Sequence, residues 1–167
     1  MQNVVLALVL FICFITDLRE RRIYNLVLLP ALIFGLIYNI FIGGWAGLGQ
    51  SLLGLLVGLG VLIIPFALGG MGAGDVKLLA VIGAIKGPVF VLYTTVGMGL
   101  TGGVIGLVIL AYKGQLWHTI TSFLRGFWLM LITRFKVISF DFDHEKTMFP
   151  YGVAIVAGAL GAMWWMR

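Results

Sequence analysis

The sequence predicts an all-α fold: a polytopic membrane helical bundle of about six transmembrane helices, with one further helix lying in the interface. Three observations point there. Of 167 residues 62% are hydrophobic, and the mean hydropathy of +1.14 lies far above that of a soluble domain. Asp, Glu, Lys and Arg together make up 10% of the chain and gather between apolar runs. Several of those runs approach the ~20 residues needed to cross a bilayer core. The chain reads as a single domain, 1–167, with the lipid bilayer as its surroundings. Its one cysteine, Cys13, lies in the first apolar run, which excludes disulfides and Cys-rich metal sites. The net charge of +5 comes from basic residues at helix ends, where topology accounts for them, so no nucleic-acid partner is expected.

The opening stretch "MQNVVLALVLFICFIT" has neither a basic n-region nor a clear small-residue cleavage site, and reads as a retained helix. It spans about 3–16 and is closed by "DLRERR". A second span covers 26–42 and ends at the turn "GGWAG"; a third covers 48–68. The fourth begins just after Asp75 and runs to about 93, with "KGP" at 86–88 bending or interrupting it. The fifth, 95–112, follows closely enough to form a hairpin with it. The last is 151–166. Residues 116–136 carry arginines, a histidine and several aromatics, and suit an amphipathic helix in the interface, a tilted short span being the alternative. Gly54 with Gly58, Gly102 with Gly106, and Ala154 with Gly158 form small-xxx-small pairs that let helices approach in lipid.

Positive-inside counting sets the orientation. With the first helix running outside to inside, Arg19, Arg21, Arg22, Lys77, Lys113, Arg125, Arg134, Lys136 and Lys146 fall on the cytoplasmic side, against Lys86 and Arg167 on the other. Both termini are expected outside. The segments "TDLRERR", "GGMGAGD" and 113–149 then share the cytoplasmic face.

Two acids on that face draw the chemistry. Asp75 alone reads as the N-cap of the helix it precedes. Asp17 alone could end the first helix and pair with Arg21 at i+4. Together they are the acids that close directly onto apolar helices, at nearly equal depth, whereas Glu20, Asp141, Asp143 and Glu145 lie in polar segments. Two carboxyls within reach of each other share a proton. The ionised one can act as base on a water while the protonated one polarises a carbonyl. Peptide hydrolysis at a membrane surface is a reaction such a pair can perform. Gly72 and Gly74 add no side chain, so an extended substrate backbone could come close.

Neighbouring residues have humbler readings beside functional ones. Lys77, two residues from Asp75, does not face it on a helix and reads as snorkelling to the interface. Asn25 reads as a cap of the second helix, or as a hydrogen-bonding group near the site. Tyr151 follows the helix-opening Pro150 and could reach the site from there. His118 and His144 are isolated, with no metal-ligand spacing, and no metal or cofactor is expected.

"TDLRERRIYN" at 16–25 resembles the first aspartate segment of type IV prepilin peptidases, "GGMGAGDVKLLAVIGA" at 69–84 their Gly-x-Gly-Asp segment, and "FPYGVAIVAGAL" at 149–160 the Pro-Tyr-Gly opening of their final helix. The resemblance implies an aspartic endopeptidase that removes the short basic leader from prepilin-like membrane proteins at the cytoplasmic face of the inner membrane, cutting after a glycine. It implies Asp17 and Asp75 as the catalytic pair, with Gly72 and Gly74 shaping the loop. Tyr24 stands where the family usually has proline. Bifunctional relatives carry a four-cysteine cytoplasmic insert and methylate the new N-terminus; this chain lacks room for the insert, which implies peptidase action without methyltransferase. The small size is most similar to the Tad/Flp-pilus branch, an archaeal preflagellin-type relative being the alternative. Two other classes fit paired acids in a membrane protein: a small proton-coupled transporter, whose acids belong near mid-bilayer, and a non-catalytic assembly scaffold, in which the acids are caps. The sequence leaves the oligomeric state open.

Overall fold

The computed structural model describes residues 1–20, 22–112 and 151–166. The interfacial helix expected over 116–136 lies outside the described residues, as do Arg21, His118, His144 and Pro150. Every described element is an α-helix: α1 (Gln2–Glu20), α2 (Asn25–Ala67), α3 (Ala73–Lys86), α4 (Pro88–Tyr112) and α5 (Tyr151–Trp165). They fall in two compact units. The first, Met1–Gly102 with Pro150–Arg167, holds α1, α2, α3, the first part of α4, and α5. Of the second, Gly103–Phe149, the described part is the end of α4, a regular helix.

Among the described residues three helices are long and apolar enough to cross a bilayer: α1, α2 and Pro88–Ile109 of α4. With 14 and 15 residues, α3 and α5 fall short of the usual ~20, so length alone gives fewer crossings than the six expected. The 43 residues of α2 would reach about 65 Å if straight. They do not run straight. Gly44 breaks the helix with φ 57 and ψ −139, a conformation that a residue with a side chain rarely adopts. Beyond the break the chain doubles back, so that a Cβ on Gly47 would stand 2.0 Å from the Asn39 carbonyl oxygen. The two arms of α2 therefore meet the turn expected at "GGWAG".

The next turn is not where the apolar pattern puts it. The sequence predicts a hairpin between 93 and 95, but α4 runs unbroken through these residues. The break falls instead within "KGP", where an interruption was also expected: at Gly87, with φ 87 and ψ 175, immediately before Pro88. Proline has no N–H to give to a preceding turn and is suited to opening a helix. Thr95 does not need a turn either, because its hydroxyl donates back to the Val91 carbonyl at 2.8 Å.

The first unit is built around α3, whose Leu78, Leu79, Ile82 and Ile85 are fully buried. Both arms of α2 lie against it. A Cβ on Gly54 would come within 2.1 Å of the Gly83 oxygen, and one on Gly58 within 2.6 Å of the Leu79 oxygen, so these helices touch backbone to backbone. The last carbonyls of α3 would otherwise be orphaned in the core. Asn39 donates to those of Ala84 and Ile85 at 3.0 and 3.2 Å, and the Ser51 hydroxyl donates to Ala84 as well. On the far side, α5 presses Gly158 against the backbone of Thr94 and Met98 in α4. Outward faces carry exposed Leu26, Phe41, Trp45, Leu56, Val96 and Leu100. Apolar surface of that extent is untenable in water but suits hydrocarbon. The chain is a membrane protein.

Candidate active site

The helix α1 does not stop before Asp17 as its apolar run suggests; it continues to Glu20, leaving Asp17 inside the helix and 7% exposed. The Arg21 side chain, its sequence-level partner, lies outside the described residues. Across from it, α3 starts at Ala73, three residues earlier than expected, with Gly72 as its N-cap. Asp75 thus occupies the third helical position rather than the cap. Its Oδ2 accepts a hydrogen bond from the Gly72 N–H at 3.2 Å, which is half of a capping box, glycine having no side chain to return the other half. Asp75 is 8% exposed.

The loop before α3 is set by the end of α2. Pro65 lies in the last turn of that helix, and the N–H groups of Leu68, Gly69 and Gly70 close the exposed carbonyls of Ile64, Phe66 and Pro65. This turn delivers Gly72 and Gly74 to the start of α3. A Cβ on Gly74 would stand 3.0 Å from the Ile23 Cβ, so the bare glycine lets the α1–α2 connection pass close to α3.

Asp17, Asp75, Gly72, Gly74 and Asn25 line one cavity of about 330 Å³, together with Arg22, Ile23 and Tyr24. Five of the seven residues singled out from the sequence therefore meet. Lys77 stands outside the cavity wall, exposed, and its ammonium donates to the Asn25 amide oxygen at 3.2 Å. That bond ties the start of α2 to the first turns of α3. It also replaces the capping role expected of Asn25, since the N-cap of α2 is Tyr24 and makes no side-chain cap bond. Tyr151 does not line the cavity; it opens α5, half-buried, within electrostatic reach of Asp75.

Asp75 lies ahead of the apolar run that begins at Val76. Burial pushes its carboxyl up from 3.8 to about 6, the Gly72 N–H works against that rise, and the negative charge of Asp17 adds to it. The two acids thus sense each other across the cavity. Tyr24 donates its phenol hydroxyl to the Glu20 carboxylate, and that hydrogen bond raises the phenol above its usual range. Glu20 is engaged there, at the surface. Among the described residues no three of His, Cys, Asp and Glu come together as metal ligands do.

Sequence reasoning missed Arg22, Ile23 and Tyr24 as cavity wall, although they sit inside the "TDLRERRIYN" segment. It also missed what Gly152 does. A Cβ there would stand 2.5 Å from Oδ2 and 2.7 Å from Cγ of Asp17. The only sequence signal was its place in "PYG".

The model of the type IV leader peptidase family matches residues 4–107, more than half of the chain and both aspartates. No curated protein and no solved structure matches.

Proposed function

The chain belongs to the type IV leader peptidase family, and from that premise we propose that it is an aspartic endopeptidase in which Asp17 and Asp75 form the catalytic dyad. The observation that supports this most is their convergence: two acids from separate helices, each more than nine-tenths buried, line one cavity. In the proposed reaction the pair shares a proton that rests on Asp75. The Asp17 carboxylate takes a proton from a water molecule, the water oxygen attacks the scissile carbonyl carbon, and the Asp75 carboxyl hydrogen-bonds the carbonyl oxygen as it becomes negative. The tetrahedral intermediate then collapses with breakage of the C–N bond, the leaving nitrogen taking the proton that Asp17 had gained. Gly72, on the cavity wall, leaves room for an extended backbone, Gly74 shapes the loop by admitting Ile23, and the Lys77–Asn25 bond braces the wall.

The substrates we propose are prepilin-like membrane proteins with a short basic leader, cut after a glycine at the cytoplasmic face of the inner membrane. The skew of Lys and Arg supports that face. The spacing of nine residues from Asp17 to Asn25, too short for a cysteine-bearing insert, supports a peptidase without methyltransferase action. The turn at Gly44 supports two crossings by α2.

The test is cleavage of a membrane-anchored peptide bearing a basic leader, a glycine and an apolar segment. Asp17→Asn and Asp75→Asn should each abolish it, and the double variant should be no worse than either, since residues acting as a unit are grossly non-additive. Asn keeps the size and much of the hydrogen bonding of Asp. Acids that serve only as helix caps would allow the Asn variants near-normal cleavage, and that outcome would sink the dyad.

A further inference from the structure

Gly152 is the second residue of α5, buried, and its α-carbon faces the side chain of Asp17 in α1. An ideal Cβ there would stand 2.5 Å from Oδ2, 2.7 Å from Cγ and 3.1 Å from Cβ of Asp17. The second of these distances decides the argument. Turning the carboxyl about its last bond moves the oxygens but leaves Cγ where it is. Only a change of rotamer, which removes the whole carboxyl from its place, or a retreat of one helix clears the clash. A second contact restrains any retreat of α5. A Cβ on Gly158 would stand 2.5 Å from both the Thr94 oxygen and the Met98 nitrogen, so α5 is already seated against the α4 backbone.

We propose that Gly152 is a positioning residue for the dyad: its missing side chain is the space in which the Asp17 carboxyl stands. This rests on the peptidase reading above and extends it to a residue outside the cavity lining. The match to the leader peptidase family ends at residue 107, so it does not reach Gly152. The final helix thereby enters the site by what it omits.

Gly152→Ala tests this, with Gly161→Ala as control, because Gly161 lies on the same helix with open space where a Cβ would go. On the leader–glycine–apolar peptide, Gly152→Ala should lower kcat by about 100-fold, the effect of misplacing a reacting group by ~1 Å, with KM unchanged. Gly161→Ala should leave both unchanged. A second readout does not depend on cleavage. Gly152→Ala should lower the thermal midpoint of the otherwise unaltered chain, and most of that loss should vanish in an Asp17→Ala background, where Cγ and both oxygens are gone. Equal losses in the two backgrounds overturn the proposal, as does a normal kcat in Gly152→Ala. Strong coupling in a chain that cleaves no such peptide would remove the peptidase reading and leave Gly152 as the residue that places Asp17.

Discussion

The Asp75 carboxyl is pushed up to about 6 from 3.8, with burial as the main cause, so the folded chain holds that proton more tightly than the unfolded one does. The stabilisation is fully present below about pH 4 and is lost as pH rises through about 6. Above that pH a buried carboxylate beside Asp17 opposes folding. Asp75→Asn should therefore raise the thermal midpoint at pH 7–8, and the gain should shrink towards zero near pH 4; a gain that grows on acidification would contradict the assigned environment. The same residue is the one expected to lose all cleavage, so stability and activity should part company here. Asp75 and Asp17 were legible in the sequence because a carboxylate next to an apolar helix is costly enough to call for a reason. Gly152 was not, because its significance is a distance to a residue at the other end of the chain. No local pattern encodes that.

Among the elements, α3 is fixed by contacts that exclude side chains. The backbones at Gly54 and Gly83 approach so closely that a Cβ on either would lie 2.1 Å from the other's carbonyl oxygen. Neither carbonyl is a flexible group that can swing away. Gly54→Ala and Gly83→Ala should each destabilise by about 1–3 kcal/mol, the usual penalty of overpacking, read as a lower thermal midpoint in detergent. Gly60→Ala, in the same arm of α2 with open space beside it, should be neutral or slightly stabilising. Small-residue spacing marked Gly54 and Gly58 as a packing seam, and both do face α3. The interruption expected at "KGP" is the α3–α4 boundary, legible because Gly87 followed by Pro88 limits the backbone more than any hydropathy pattern does. The further turn expected between 93 and 95 does not occur: the Thr95 hydroxyl bonds the preceding turn and the helix continues.

For the whole molecule, the all-helical membrane architecture was legible from hydropathy alone, while the number of crossings was not, because α3 is sealed inside protein and need not match the lipid in length. That shortness has a mechanical consequence. Fourteen residues give a rod of about 21 Å, against a hydrocarbon layer of about 30 Å. One end of the rod carries Asp75, and the other carries Lys86, which is hydrogen-bonded to Asn3. Both ends are hydrophilic; with α3 enclosed by its neighbours, a bundle set in a layer of that thickness would leave one end recessed below the lipid surface unless the bilayer thins around the bundle. Mismatch of this kind carries a modest energy per ångström that depends on acyl-chain length. Cleavage in vesicles should accordingly be faster in short-chain than in long-chain lipids of the same headgroup, and a rate indifferent to chain length would show that water reaches the proposed dyad without any thinning. On this view the thickness of the host membrane acts as a throttle on the enzyme, set by the lipid and felt through a helix that barely touches it.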